Sequence, residues 1–417
     1  HAGNLLGERP FIITDKGIIN CGLIDACLID LKAAGCQTAH YEDVLADPPR
    51  RLVEDATQKA TDHGATCIIG FGGGSSLDIA KLVALLASSG EDLDDAWGIG
   101  NAKGPRLPLV LIPTTAGTGS EVTPISIITL EEDEKRGVVS PILLPDLAVL
   151  DPLLTLGLPA HVTAATGIDA MVHAIEGYAS KSANNNPVSR TLAVEALKLL
   201  GTNIETAVFE PKNEDARGAM LLGSMLAGMA FANAFLGVCH SMAHKLGAVF
   251  HLPHGLANAL LITNVVRFNA NDNPTKQTAF SQYDRPKARS RYAEVADHLG
   301  LSQAGDRTAQ KVERLINWLD ELKRDLDIPT SIKDAGVPEA DFLDKLDEVA
   351  AEAFDDQCTG ANPRYPLISE LKEVLRASYY GEVYVEGETF AGTTVIKKSE
   401  ARAPARALAD DPAKAPE

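Results

Sequence analysis

The chain has 417 residues, 45% of them hydrophobic and 23% charged, enough for two or three domains with sizeable buried cores. With 38 basic against 57 acidic residues its formal net charge is −19, which argues against nucleic acid and against anionic membrane surfaces as partners. No apolar run reaches the ~18 residues that span a bilayer. The six cysteines (Cys21, Cys27, Cys36, Cys67, Cys239, Cys358) show neither CxxC nor framework spacing, and no signal peptide is evident. Together these features imply reduced thiols and a cytoplasmic protein without a membrane partner. The chain opens at His1 without Met, so an N-terminal piece is expected to be missing.

The first ~155 residues alternate β-rich runs with helical stretches. Pro10–Thr14 reads as a strand ending in a turn at Asp15-Lys16-Gly17, Ile24–Ala33 as an amphipathic helix, Gln37–Tyr41 as a strand and Arg51–His63 as a helix. Ala65–Gly70 is an apolar strand, followed by glycines and a helix over Ser75–Leu86, and Leu109–Pro113 is a further strand. This alternation predicts a doubly wound parallel α/β sheet, the architecture of a dinucleotide-binding domain over residues 1–155.

After Asp151-Pro152 Ala, Leu and Met dominate at helical periodicity. Helices are expected over Ala160–Ser180, Pro187–Leu200, Glu214–Asn233, His240–Phe250, Gly255–Asn269, Tyr292–Gly300, Ala309–Leu326, Glu339–Phe354 and Leu367–Ser378, an all-α second domain over residues 156–380. Phe280–Ala288 reads as a loop. Residues 381–417 form a C-terminal extension with a short β-prone stretch, Thr393–Ile396, and a partly disordered end rich in Ala, Pro and charge.

Strand, then Gly70-Phe71-Gly72-Gly73-Gly74-Ser75-Ser76, then helix is an arrangement that binds phosphate. Glycines let the backbone approach a pyrophosphate, and a helix N-terminus offers N–H groups and a positive dipole end. Ser75 or Ser76 can cap that helix. The stretch fits GxGxxG only in part, and a plain tight turn would look the same. A second loop, Thr114-Thr115-Ala116-Gly117-Thr118-Gly119-Ser120-Glu121, follows strand Leu109–Pro113 at the carboxyl edge of the same sheet, where such sheets bind ligands. Glu42, closing the strand at Tyr41, can accept from ribose hydroxyls and would repel a 2′-phosphate, which favours NAD over NADP; Asp43 competes for that role, and a solvated acid at a strand end is the plain alternative.

Four of the ten histidines, His240, His244, His251 and His254, fall between residues 240 and 254, and His173 lies upstream. Asp169 and His173 are four apart and share a helix face, as do His240 and His244. Asp169, His173, His240 and His254 can supply three imidazoles and a carboxylate, His254 from the turn Leu252-Pro253-His254-Gly255. Four protein ligands fill a tetrahedron, so a catalytic ion must expand its coordination to take substrate, which Fe(II) does more readily than Zn(II). His244 is a ligand or a proton carrier, and His251 and His161 read as structural. Cys239 adjoins His240, but about 100° of helix separates their side chains, so packing is its expected role.

Thr114–Glu121, Gly72-Gly73-Gly74-Ser75-Ser76-Leu77-Asp78, Gly167–Glu176, Gly237–His244 and Pro253–Ala259 together resemble the iron-containing (group III) alcohol dehydrogenases, in order along Pro10–Ser378. The resemblance implies a dehydroquinate synthase-like architecture and an oxidoreductase acting on CH–OH. Its expected reaction is NAD(P)- and metal-dependent interconversion of a small alcohol and its aldehyde or ketone, with NAD preferred, Fe(II) or Zn(II) as the metal, and a homodimer or higher homo-oligomer as the assembly. It implies Asp169, His173, His240 and His254 as the ligands and His244 as the nearby proton carrier. It further implies Gly73, Gly74 and Ser75 as the pyrophosphate loop, Thr114 and Thr115 as the second cofactor loop, Lys135 beside the cofactor ribose, and Phe231 and Cys358 in the substrate pocket. Members of that family begin with a further strand and helix before Pro10 and stop near Ser378, whereas this chain runs on for about 39 residues. The competing functions are a dehydroquinate synthase-like lyase, a metal-free reductase of the same fold and a non-catalytic NAD-binding protein. The lyase needs a basic pocket, yet Lys245 is the only Lys or Arg in Ala164–Ser180 and Met220–Asn264.

Overall fold

Charge-free β-rich runs make the central strands, and helices cover both of their faces. The computed structural model describes residues 3–130, 135–271, 286–386, 388–391 and 394–397. Its first part runs α1 (Gly3–Leu6), β1 (Pro10–Ile13), α2 (Lys16–Asn20), α3 (Asp25–Ala33), β2 (Ala39–Tyr41), α4 (Arg50–His63), β3 (Cys67–Gly72), α5 (Gly74–Ser89), α6 (Leu93–Ala96), β4 (Gly98–Ile99), β5 (Leu109–Pro113), β6 (Ile125–Thr129), β7 (Lys135–Val139) and β8 (Leu147–Ala148). A five-stranded parallel sheet has the order β2-β1-β3-β5-β8. Every residue of β1 and β3 is buried, as expected where both faces are covered. Side chains alternate between the layers: Phe11, Ile13 and Ile68 pack with Val53, Ala56 and Leu77 of α4 and α5, while Ile12, Ile69 and Phe71 pack with Ile18, Ile24 and Leu31.

The parallel α/β sheet matches the expectation from alternating elements. Two local features differ. The turn expected at Asp15-Lys16-Gly17 opens α2 instead, with Asp15 as N-cap accepting the Ile18 N–H. A second, three-stranded sheet of order β4-β7-β6 carries no counterpart among the expected strands; β6 and β7 pair antiparallel, with Ile125 opposite Val139.

Among the described residues up to 380 the second part carries the helices α7 (Ala160–Ala179), α8 (Pro187–Phe209), α9 (Glu214–Ala234), α10 (Val238–Phe250), α11 (His254–Asn269), α12 (Ala288–His298), α13 (Thr308–Asp325), α14 (Glu339–Asp355) and α15 (Ile368–Tyr380). Helix α8 runs nine residues beyond its expected end at Leu200. Gly201 is no stop there: a Cβ would lie 2.8 Å from Trp318 Cζ2, so the glycine admits the indole to the helix surface. One apolar core joins α7 through α15, from Ile168 and Met171 to Leu371 and Leu375. The β-prone tail forms strands β9 (Glu388–Ala391) and β10 (Thr394–Lys397), paired antiparallel. Most of the loop expected over Phe280–Ala288 and all of residues 398–417 lie outside the described residues; Ala288 itself opens α12. Among the described residues no single helix is long and apolar enough to cross a membrane.

The two parts meet where the loop after β5 presses on α9. Gly119 adopts φ +59°, and a Cβ there would lie 2.7 Å from Gly228 Cα. That backbone-to-backbone approach sets the second loop against the helical part.

Candidate metal and cofactor site

Strand β3 ends at Gly72, and Gly73 is the N-cap of α5. No side chain caps this helix, so neither Ser75 nor Ser76 plays the expected capping role: both lie inside the first turn. Its first N–H groups have no partner within the helix, the condition for holding an anion. The second loop lies directly alongside. Thr114 N–H donates to Gly72 O at 3.0 Å, and a Cβ on Gly74 would lie 2.7 Å from Thr118 Cγ2. Gly74, Ser75 and Thr118 line a cleft with about 1330 Å³ of empty space, while Gly73, Thr114 and Thr115 are not among its lining residues.

Lys135 lines the same cleft from β7, its Nζ 2.6 Å from Asp47 Oδ1. Glu42 lies just past the end of β2, outside the cleft lining, with His40 3.4 Å away. The competing Asp43 is held by Lys16 at 2.5 Å. Of the two acids, Glu42 has the looser partner.

The cleft also reaches four donors from three helices: Asp169 and His173 of α7, His240 of α10 and His254 at the start of α11. One ligand atom from each lies within 4.8 Å of the others. His240 Nε2 and His254 Nε2 each lie 3.7 Å from Asp169 Oδ1. His240 Nε2 is buried and has no hydrogen-bond partner, an orphan that a cation would satisfy. The second nitrogens are tethered: His173 Nδ1 lies 3.2 Å from Gly117 O, and His240 Nδ1 lies 2.6 Å from Glu176 Oε2. The set of three imidazoles and one carboxylate therefore fits Fe(II) or Zn(II).

Burial pushes Asp169 up to about 7 and drives His173, His240 and His254 well below the usual imidazole value, with neighbouring imidazoles lowering all three further. The imidazoles are thus neutral, as metal ligands must be. Asn258, one turn beyond His254, donates to Asp169 Oδ1 at 2.7 Å.

His244 stands beside this group and belongs to another. Its Nδ1 is 3.1 Å from Asp356 Oδ2, and its ring stacks on that of His254 at 5.4 Å between centroids. Burial disfavours the Asp356 charge, but the hydrogen bond and charge of His244 outweigh it and hold the carboxyl at about 2. Phe231 stacks on His173 at 4.5 Å, and both Phe231 and Cys358 line the cleft. Cys239 is buried with its Sγ against Asn258 O, the expected packing role. His251 terminates α10 in the left-handed conformation, φ 56°, outside the cleft lining.

Sequence reasoning left several residues that line the cleft or hold its lining side chains without a role. Glu176 follows His173 by three positions and Asn258 follows His254 by four, so helical spacing was an available signal for both. Asp356, Asp47 and the β6–β7 hairpin carry no local pattern that points to the cleft.

A parallel sheet with a glycine loop at its carboxyl edge, opening onto a three-histidine, one-carboxylate cluster, defines a dinucleotide- and metal-binding oxidoreductase type of site. Residues 1–152 match the family model for iron-containing alcohol dehydrogenase, and residues 163–379 match that for the C-terminal part of the Fe-containing alcohol dehydrogenase family. The chain belongs to the iron-containing alcohol dehydrogenase family. It is 49% identical over 400 residues to the bifunctional aldehyde-alcohol dehydrogenase AdhE of Escherichia coli (strain K12), covering 92% of this chain and 44% of that protein. It is 37% identical over 376 residues to 1,3-propanediol dehydrogenase of Citrobacter freundii, covering 89% of this chain and 92% of that protein. Its fold is similar to crystallised 1,3-propanediol oxidoreductase, with TM-score 0.82 and 35% identity over 91% of this chain and 94% of the other. An alcohol dehydrogenase from Oenococcus oeni has TM-score 0.82 and 34% identity, covering 90% of this chain and 94% of that one. The chain thus spans less than half the length of the bifunctional relative, at 44%.

Proposed function

We propose that the chain interconverts a small, weakly charged alcohol and its aldehyde or ketone with NAD(H), residues 1–155 holding the cofactor and residues 156–380 the metal. Asp169, His173, His240 and His254 would hold the ion, and the expandable coordination that four protein ligands demand favours Fe(II) over Zn(II). The observation that carries this is one cleft lined by Gly74, Ser75 and Thr118 of the two loops together with all four donors. When bound, the ion supplies a Lewis acid and the nicotinamide a hydride acceptor.

The chain's own groups do the rest. The N-terminus of α5 receives the pyrophosphate, with Gly73 and Thr114–Thr115 backing the two loops. Glu42 accepts from the adenosine ribose, and Lys135 sits toward the nicotinamide ribose. Phe231 and Cys358, with Phe235 and Leu236, give the substrate end an apolar wall that excludes water. His244 donates Nδ1–H to Asp356, which leaves Nε2 as the atom that takes up the alcohol proton and passes it to solvent. Among the cleft-lining residues Lys135 is the one Lys or Arg, and Asp47 partners it, so the basic pocket of a lyase acting on a phosphorylated acid is lacking there.

Two variants separate these roles. His254→Ala should lose both bound metal and turnover. His244→Ala should keep metal at the wild-type level and lose about 10²–10⁴-fold in rate near neutral pH. A His254→Ala protein that keeps its metal would remove His254 from the ligand set.

A further inference from the structure

Glu176 is a buried titratable group that the proposed reaction does not use. It lies on α7 one turn after His173 and is 4% exposed. One carboxylate oxygen is 2.6 Å from His240 Nδ1, and the other accepts the Cys239 N–H at 2.9 Å. The backbone N–H groups of Gly237 and His240 face it as well. Gly237 makes this approach possible: a Cβ there would lie 3.0 Å from Glu176 Oε1 and 2.6 Å from Asn362 Oδ1. On the far side of the ring His240 Nε2 is buried and unpartnered, 3.7 Å from Asp169 Oδ1.

A neutral imidazole carries one proton shared between two possible nitrogens, and an ionised carboxylate only accepts. Facing Glu176, the proton therefore belongs on Nδ1 and the lone pair on Nε2. We infer that Glu176 is a positioning residue for the metal: its carboxylate holds His240 in the Nδ1–H tautomer and so presents the Nε2 lone pair to the other three donors. This rests on the metal-binding role proposed above for those donors. Carboxylate partners of this kind fix the ring and the tautomer of ligating histidines in general.

Glu176→Gln keeps the shape and inverts the chemistry. The Gln oxygen still accepts from the backbone N–H groups at the start of α10. Its NH₂ group then donates to Nδ1, which moves the imidazole proton to Nε2 and closes that nitrogen to an ion. The opposite amide orientation sets NH₂ against those backbone N–H groups, donor against donor.

The test is Fe(II) and Zn(II) binding to the metal-free full chain, under anaerobic conditions, by competition with a chromophoric chelator. Glu176→Gln should bind about 10- to 100-fold more weakly than wild type. NAD(H) affinity and the melting temperature of the metal-free protein should stay at wild-type values, which a purely structural role would not allow. Equal metal affinity in the two proteins overturns the inference. Should the variant not fold, ¹⁵N-histidine NMR of the metal-free wild type decides, recorded above the pH of about 7 at which buried Glu176 gives up its proton: an Nδ1–H His240 is expected, and an Nε2–H His240 overturns the inference. A wild-type chain that binds neither ion overturns the ligand set itself, and this inference falls with it.

Discussion

Gly74→Ala isolates the cofactor end of the cleft. Gly74 is the first residue of α5 and has no positive φ, so alanine there is conformationally acceptable and on backbone grounds alone would stabilise by about 0.4–1 kcal/mol. The neighbour decides the sign. The new Cβ would sit 2.7 Å from Thr118 Cγ2, 3.2 Å from its Oγ1 and 3.3 Å from its Cβ. Thr118 must retreat by roughly 0.7 Å to restore ordinary contact, and overpacking of this kind costs about 1–3 kcal/mol. Part of that cost falls on the gap between the two cofactor loops, so NAD(H) affinity should drop about 5- to 100-fold. Thr118→Ser removes the closest atom, and the double variant should recover most of the loss, giving a coupling energy of about 1 kcal/mol or more in a double-mutant cycle. Affinity can be read by quenching or enhancement of NADH fluorescence. Wild-type NADH affinity in Gly74→Ala, or strict additivity with Thr118→Ser, would refute the placement of the dinucleotide between these loops.

Two further outcomes are expected. Glu42→Gly should raise NADP turnover relative to NAD, because the 2′-phosphate no longer meets a carboxylate; an unchanged ratio of kcat/KM values for the two cofactors removes Glu42 from the site. Metal affinity should depend on pH in one direction. Asp169 and Glu176, both pushed up to about 7 by burial, retain protons below that pH in the metal-free protein, whereas the three imidazoles are already neutral. Metal must displace the carboxyl proton, so affinity should climb roughly tenfold or more per pH unit up to about 7 and flatten above it, as titration calorimetry would register. A flat profile between about pH 5.5 and 7 would contradict the environment described for Asp169.

Where the chain repeats one periodicity under one burial condition, the sequence carries the structure plainly. The all-buried strand Pro10–Ile13, the largely buried strand Leu109–Pro113 and the helices that carry Asp169, His173, His240 and His254 are of this kind. Asp169 and His173 were legible as a pair because i, i+4 spacing on a helix is itself a geometric statement, whereas His240 and His254 stood out by the local density of histidines and by the family resemblance. What lay hidden depends on contacts remote in sequence. Gly201 looks like a helix terminator until Trp318 arrives from more than a hundred residues away. The short β4 and the β6–β7 hairpin, whose β6 positions alternate between buried and half-buried, gave too little pattern to separate them from loop, yet they form one wall of the cleft. Asp356 reaches His244 across 112 positions, and nothing local to either residue announces the pair. Ser75 and Ser76 have the composition of capping residues and sit two and three places past the N-cap, too late to cap.

The measurement that bears most directly on the central claim joins elemental analysis to an activity panel. The purified full chain is stripped of metal, reloaded anaerobically with Fe(II) or Zn(II), and assayed for reduction of NAD by a series of small primary and secondary alcohols. About one ion per chain is predicted, with turnover abolished by stripping and restored better by Fe(II) than by Zn(II). Full alcohol-dependent NAD reduction by the metal-free chain would contradict the account.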